Sequence, residues 1–169
     1  MARAGDADAA VAALFQVHRL PMVRLARLLV DDLETAEDVV QDAFTALHRK
    51  WGSLASQDAA VGYLRTCVVN GSRSVLRRRR TARANPWPEA NRWTQDSPDS
   101  GVLLAEEHRE VLAALRALPA RQREVIVLRY WAELPEADIA AALGISVGSV
   151  KSSASRGREA IAAILGGTR

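Results

Sequence analysis

The sequence predicts an all-α protein: two small helical bundles joined by a flexible linker, the second ending in a helix-turn-helix. Three observations predict it. Apolar residues recur at helical spacing in two separate blocks, one before residue 80 and one after residue 110. Between them, residues 81–103 carry Pro86, Pro88 and Pro98 among Asn, Asp, Ser and Gly, with no apolar stripe. No segment alternates apolar and polar residues as a strand would. With 169 residues, 49% apolar and only 5% aromatic, the chain can bury one medium core or two small ones. The boundaries expected are 1–82, 83–107 and 108–169.

Each element follows from its own pattern. Leu14, Leu25, Leu28 and Leu29 mark a helix over Val11 to Leu29, with a break or kink at Pro21. Thr35 is the candidate N-cap of the next helix, with Glu37 and Asp38 in its first turn. That helix has Val39, Val40, Ala43, Phe44 and Leu47 on its inner face. A loop over Trp51 to Asp58 precedes a third helix, which starts near Ala59 and buries Val61, Leu64, Val68 and Val75. It runs into Arg77, Arg78, Arg79 and Arg80. After the linker, Val111, Leu112, Leu115 and Leu118 begin the second block. Pro119 suits a first helical position ahead of Val125, Ile126, Leu128 and Tyr130. Pro135 opens a helix carrying Ile139 and Leu143, Gly144 ends it, and Ser146 caps a last helix to about Leu165.

The charge distribution says more than the net +3. Residues 1–70 hold seven basic and nine acidic side chains, and residues 71–83 hold six Arg and no acid. Residues 84–110 have two basic and six acidic groups, and residues 111–169 have eight and five. Two basic zones therefore flank an acidic stretch. Six arginines without an acid repel one another unless a polyanion neutralises them, which points to nucleic acid. A lone cysteine, Cys67, excludes disulfide scaffolding and Cys-based metal sites and suits a reducing cytosol. No apolar run reaches the roughly 18 residues of a membrane span, and the N-terminus lacks a leader-peptide core, so a cytoplasmic protein without a membrane partner is expected.

Residues 133–158, ELPEADIAAALGISVGSVKSSASRGR, carry the helix-turn-helix. Ala140, Ala141 and Ala142 supply small residues where its helices cross, and Gly144 admits a left-handed turn. On the last helix Val147, Val150, Ala154 and Ile161 share an inward face. Ser149, Ser152 and Arg156 lie opposite, with Lys151 and Ser153 at the edges, a small and cationic face suited to the major groove. A plain helical hairpin with a solvated face has the same spacing.

In the first block, Asp38, Gln41, Asp42 and Thr45 form one outward stripe at i, i+3, i+4 and i+7, suited to a cationic protein surface. Carboxylates four apart also suit a metal, but His48 lies off the strip and His18 is on another helix, so no metal is expected. Asn70, Arg73, Arg77 and Arg80, spaced three, four and three, form a cationic stripe. Such a stripe is also what a solvated helix end looks like. Convergent nucleophiles, acid–base pairs and phosphate loops are missing, so neither an enzyme nor a cofactor is expected.

LPARQREVIVLRYWAELPEADIAAALGISVGSVKSSASRGREAI resembles the C-terminal domain of the sigma-70 family, particularly its extracytoplasmic-function group. AEDVVQDAF resembles the segment that docks on the clamp helices of the polymerase largest subunit, and GYLRTCVVNGSRSVLRRRR the segment that reads and opens the promoter −10 element. The resemblance implies a non-catalytic specificity subunit whose partners are core RNA polymerase (the clamp helices and the flap of the second-largest subunit) and promoter DNA. It leaves room for an anti-sigma factor as a further partner. It further implies polymerase contacts at Asp38, Gln41, Asp42 and Thr45, and −10 contacts at Asn70, Arg73, Arg77 and Arg80. The loop at Trp51 matches the position that captures an unstacked base, although capping the core is the stronger role for that indole. The −35 contacts implied are Ser146, Ser149, Lys151, Ser152, Ser153 and Arg156. Ser153 departs from the family, where many members carry Arg, as do Tyr63, where Trp is common, and Ser74, where Asp is frequent. The acidic stretch suits a cationic channel and mimics nucleic acid. Two alternatives remain: a stand-alone helix-turn-helix regulator and a pure protein-interaction module. The first needs a dimerisation stripe, and no spare apolar stripe is present, so a monomer is expected. The Arg stripe argues against the second.

Overall fold

The computed structural model of the chain describes residues 4–84 and 109–166. They fall into two compact units, each all-helical, and no strand occurs among the described residues. The linker expected at 83–107 lies outside the described residues except for its first two positions.

The first unit is built from α1 (Ala4–Leu29), α2 (Leu33–Lys50) and α3 (Gln57–Ala84). α1 begins earlier than its apolar pattern and continues through Pro21, so of the break or kink expected there, the break does not occur. Pro21 is exposed, so the carbonyl that loses its helical partner faces water, while Met22, Val23, Leu25, Ala26, Leu28 and Leu29 anchor the helix on its other side. α2 buries Val39, Val40, Ala43, Phe44 and Leu47 as their spacing predicts, together with Ala36. Phe44 meets Phe15 of α1 edge to face, with ring centroids 5.0 Å apart.

The cap of α2 is Asp32, three residues before the expected Thr35. Asp32 has extended backbone (φ −124°, ψ 151°) and its Oδ1 accepts the Thr35 N–H at 2.8 Å. Thr35 is thus the capped residue, and Glu34, not Glu37 or Asp38, is the first-turn acid. Both side chains are good caps. Both also bind the Arg79 guanidinium of α3, with Nη2 2.8 Å from Asp32 Oδ2 and 2.7 Å from Thr35 Oγ1.

Trp51–Ser53 form a single 3₁₀ turn inside the expected loop. α3 begins at Gln57, where the Ser56 hydroxyl accepts the Ala59 N–H at 3.1 Å. Its core residues are Ala60, Leu64, Val68 and Val69, and the expected Val61 and Val75 are only half-buried, at the edges of that face. Gly71 lets α3 approach α2 closely: a Cβ there would sit 3.0 Å from Val39 Cγ1.

The second unit comprises α4 (Arg109–Ala117), α5 (Ala120–Ile126), a wide π turn (Val127–Trp131), α6 (Glu136–Leu143) and α7 (Val147–Gly166). Pro119 (ψ 142°) and Pro135 (ψ 150°) are extended N-caps, so their helices start one residue later than expected. Leu115, Leu118, Val125, Ile126 and Leu128 form the core, whereas Val111 and Tyr130 are exposed against expectation. The π turn explains Tyr130. Tyr130 lies within it, where the wider winding carries its side chain off the α-helical face.

Gly144 terminates α6 in the left-handed region (φ 64°, ψ 40°), and Ile145 N–H returns to Ala140 O at 3.0 Å. Of the three alanines expected at the crossing, only Ala140 is buried; Ala141 is exposed and Ala142 half-buried. On α7, Val150 and Ala154 pack inward and Ile161 partly so. Val147 does not: as the first helical residue it lies beyond reach of the core and is 40% exposed. Gly157, unnoticed in the sequence, is buried where α7 crosses α5, and a Cβ there would meet Ile126 Cγ1 at 2.7 Å.

Candidate functional site

On α2 the buried face points Asp38, Gln41, Asp42 and Thr45 into solvent, and all four are exposed. Among the described residues Asp38 and Asp42 have no ion-pair partner, so the strip is an open anionic surface. Thr45 Oγ1 donates to the Gln41 carbonyl at 3.0 Å. Two charged neighbours of the strip are already paired. Glu37 binds Arg19 at 3.0 Å, and His48 lies 2.6 Å from Asp8.

On α3, Asn70, Arg77 and Arg80 are exposed on one stripe. Arg73 is half-buried and already engaged within the protein. Arg79 belongs to a different face: it spans from α3 to the start of α2. The run of four arginines thus divides into an anchoring residue and outward ones. Burial works to raise the Asp32 carboxyl, but hydrogen bonds from Thr35 and Arg79 outweigh it and hold the group below its ordinary value of 3.8. A depressed carboxyl contributes stability above its unfolded pKa, and that contribution is lost as pH falls through the folded value. Asp32→Ala is therefore expected to cost about 0.5–2 kcal/mol at pH 7, the range for a lost N-cap. Its difference from the native chain should shrink below the ordinary carboxyl value of 3.8. Urea denaturation of both chains across that range checks this, and a pH-independent difference would contradict it.

Trp51 is half-buried and lines a cleft with Ala10 and Leu14 of α1 and with Leu54 and Gln57. Its indole therefore rests against the core on one side and borders open space on the other.

In the second unit Ser149, Lys151, Ser152 and Arg156 are exposed along α7, and Ser153 is half-buried at the edge of that face. Ser146 is committed to capping: its Oγ accepts the Ser149 N–H at 3.1 Å and lies 2.9 Å from Ser149 Oγ. Ser152 Oγ donates to the Ser149 carbonyl at 3.2 Å. The sequence reading missed Glu136 at the start of α6. Arg129 Nη1 donates to its Oε1, and Lys151 Nζ stands 3.8 Å from its Oε2. The hydrogen bond to Glu136 raises the Arg129 guanidinium above its ordinary value.

Burial pushes the Cys67 thiol up, opposite to the shift that activates a nucleophile. Among the described residues no cluster of three His, Cys, Asp or Glu is placed to hold a metal. No described helix is long and apolar enough to cross a membrane.

The family description Sigma-70 region 2 matches residues 14–82, and Sigma-70, region 4 matches residues 108–161. The RNA polymerase sigma-E factor of Streptomyces avermitilis is 34% identical over 139 residues, covering 80% of this chain and 73% of the relative. The ECF RNA polymerase sigma factor SigM of Mycobacterium tuberculosis is 35% identical over 160 residues, covering 90% and 76%. Among solved structures, the sigma factor RpoE of Bartonella quintana, in complex with the anti-sigma factor NepR, aligns with a TM-score of 0.72. It is 25% identical, over 93% of this chain and 99% of that one. CnrH in complex with the cytosolic domain of CnrY gives 0.68 at 25% identity, over 98% and 96%. Two region matches in family order, and relatives spanned over most of their length, establish that the chain belongs to the sigma-70 family, as an RNA polymerase sigma factor of the extracytoplasmic-function group.

Proposed function

We propose that the two units divide the work of directing core RNA polymerase to promoters. Residues 1–82 dock on the clamp helices of the largest subunit through Asp38, Gln41, Asp42 and Thr45. They also read and help open the −10 element through Asn70, Arg77 and Arg80, with Arg73 and Trp51 beside them. Residues 108–169 read the −35 element through the outer face of α7 and meet the flap, and residues 83–107 join the two. The observation that carries this reading is the pair of exposed faces on one bundle, an anionic strip on α2 and a cationic stripe on α3. A protein surface and a nucleic acid call for opposite charges. The chain works as a cytoplasmic, non-enzymatic monomer. An anti-sigma factor is placed among its partners because RpoE is held by one in its complex with NepR. Transcription from a genomic library by core polymerase and this chain, with start sites mapped, tests the reading. Start sites that share two spaced motifs support it, and specific duplex binding without polymerase would favour a stand-alone regulator.

Within −35 recognition, Lys151→Ala and Arg156→Ala are each expected to cost about 1–3 kcal/mol where the side chain reads a base. A side chain that touches only phosphate loses affinity about equally on every sequence. Holoenzyme binding to the mapped promoter and to a scrambled −35 variant separates the two, and no loss for either substitution would reject α7 as the reading helix.

A further inference from the structure

Lys151 and Arg156 are cations on the outer face of α7, and Lys151 is not free. Glu136 stands at the N-terminus of α6, where the helix dipole favours a carboxylate. Arg129 fixes one of its oxygens, so the other is presented at a set position 3.8 Å from Lys151 Nζ. The Glu136 side chain is 28% exposed and that of Lys151 66%, so the pair lies at the water boundary. Pairs of that kind are weak enough for another anion to exchange with.

We infer that Glu136 is a specificity-determining residue of the −35 reader: anchored by Arg129, it pairs with Lys151 and subtracts its charge from the attraction to DNA of any sequence. Non-specific affinity grows with the number of phosphates neutralised by cations. Hydrogen bonding of the Lys151 ammonium to a guanine edge survives the pairing, because at 3.8 Å the contact with Glu136 is ionic and takes none of the ammonium's three donors. Phosphate attraction falls more than base reading does, and discrimination rises. This rests on α7 being the DNA-reading helix.

The test titrates the full chain with a labelled duplex of random sequence at several salt concentrations. Glu136→Gln is expected to bind roughly three- to tenfold tighter and to steepen the slope of log affinity against log salt by about one unit. In a Lys151→Ala background the same substitution should change neither quantity. An unchanged slope for Glu136→Gln, while Arg156→Ala weakens binding, overturns the inference and leaves the reading of α7 intact. Loss of binding for neither Lys151→Ala nor Arg156→Ala overturns that reading and the inference with it. An effect of Glu136→Gln that persists undiminished without Lys151 also overturns the inference, because Glu136 then acts on DNA directly. If Glu136→Gln lowers helicity, Glu136→Asp, which keeps the charge but withdraws it from Lys151, is measured with the same expectation and the same grounds for rejection.

Discussion

Reversing Asp38 and Asp42 to lysine is expected to weaken binding to core RNA polymerase at least about thirtyfold, roughly 2 kcal/mol or more, with helicity unchanged. Both carboxylates are exposed and unpaired among the described residues, so neither supports the fold. Their repulsion at i, i+4 is replaced by an equal repulsion between two lysines, and lysine is a good helix former. The bundle therefore has no reason to lose stability. At a complementary interface, each reversal both removes an attraction and sets like charges together, which costs several kcal/mol when water is excluded. Glu37→Gln serves as the control, because Glu37 faces Arg19 and lies off the strip. Its affinity should match the native chain. Fluorescence titration of core polymerase at fixed salt measures all three proteins, and equal affinity for the double reversal would remove α2 as the docking surface.

The core of each bundle was legible because burial imposes a period on the sequence. Val39, Val40, Ala43, Phe44 and Leu47 all point inward, as their spacing requires. Gly144 and Ser146 were legible because left-handed backbone and N-capping each admit few residue types. The failures share a cause: they depend on partners far away in sequence. Asp32 caps α2 where Thr35 was expected, and both are tied to Arg79, 47 residues on from Asp32. For the same reason Arg79 leaves a run that reads as uniformly cationic. Tyr130 turns outward because of a π turn that no local propensity announces. Gly157 looks like a weak point in a helix until Ile126 of α5 is placed against it. At the DNA-facing surface the exposed residues of α7 could be identified from periodicity. The Arg129–Glu136–Lys151 array could not, since it joins three elements separated by a turn and a loop.

Replacing Asn70, Arg77 and Arg80 together by alanine is expected to reduce open complex on matched promoter DNA about a hundredfold, a loss of a few kcal/mol. The three side chains should fail in different ways. Arg77 and Arg80 are exposed at the cationic end of α3, and Arg79 does not compete with them for DNA because it is held by Asp32 and Thr35. As phosphate partners they govern the closed complex, so Arg77→Ala and Arg80→Ala should each lower the salt slope by about one unit. Asn70 lies about two turns before Arg77 and three before Arg80 on the same stripe, with an amide that both donates and accepts and so suits a base edge. Its contribution should appear when a base leaves the stack, a step that costs a few kcal/mol and draws on protein contacts to proceed. A template mismatched across the −10 region removes that cost. Asn70→Ala should therefore regain part of its lost activity on the premelted template, while the arginine substitutions regain little. Permanganate footprinting on both templates reads the opened thymines directly. Helicity should not change, because all three residues are exposed and alanine is the strongest helix former. Wild-type opening of matched DNA by Asn70→Ala would leave α3 an electrostatic dock alone, with melting assigned elsewhere in the holoenzyme.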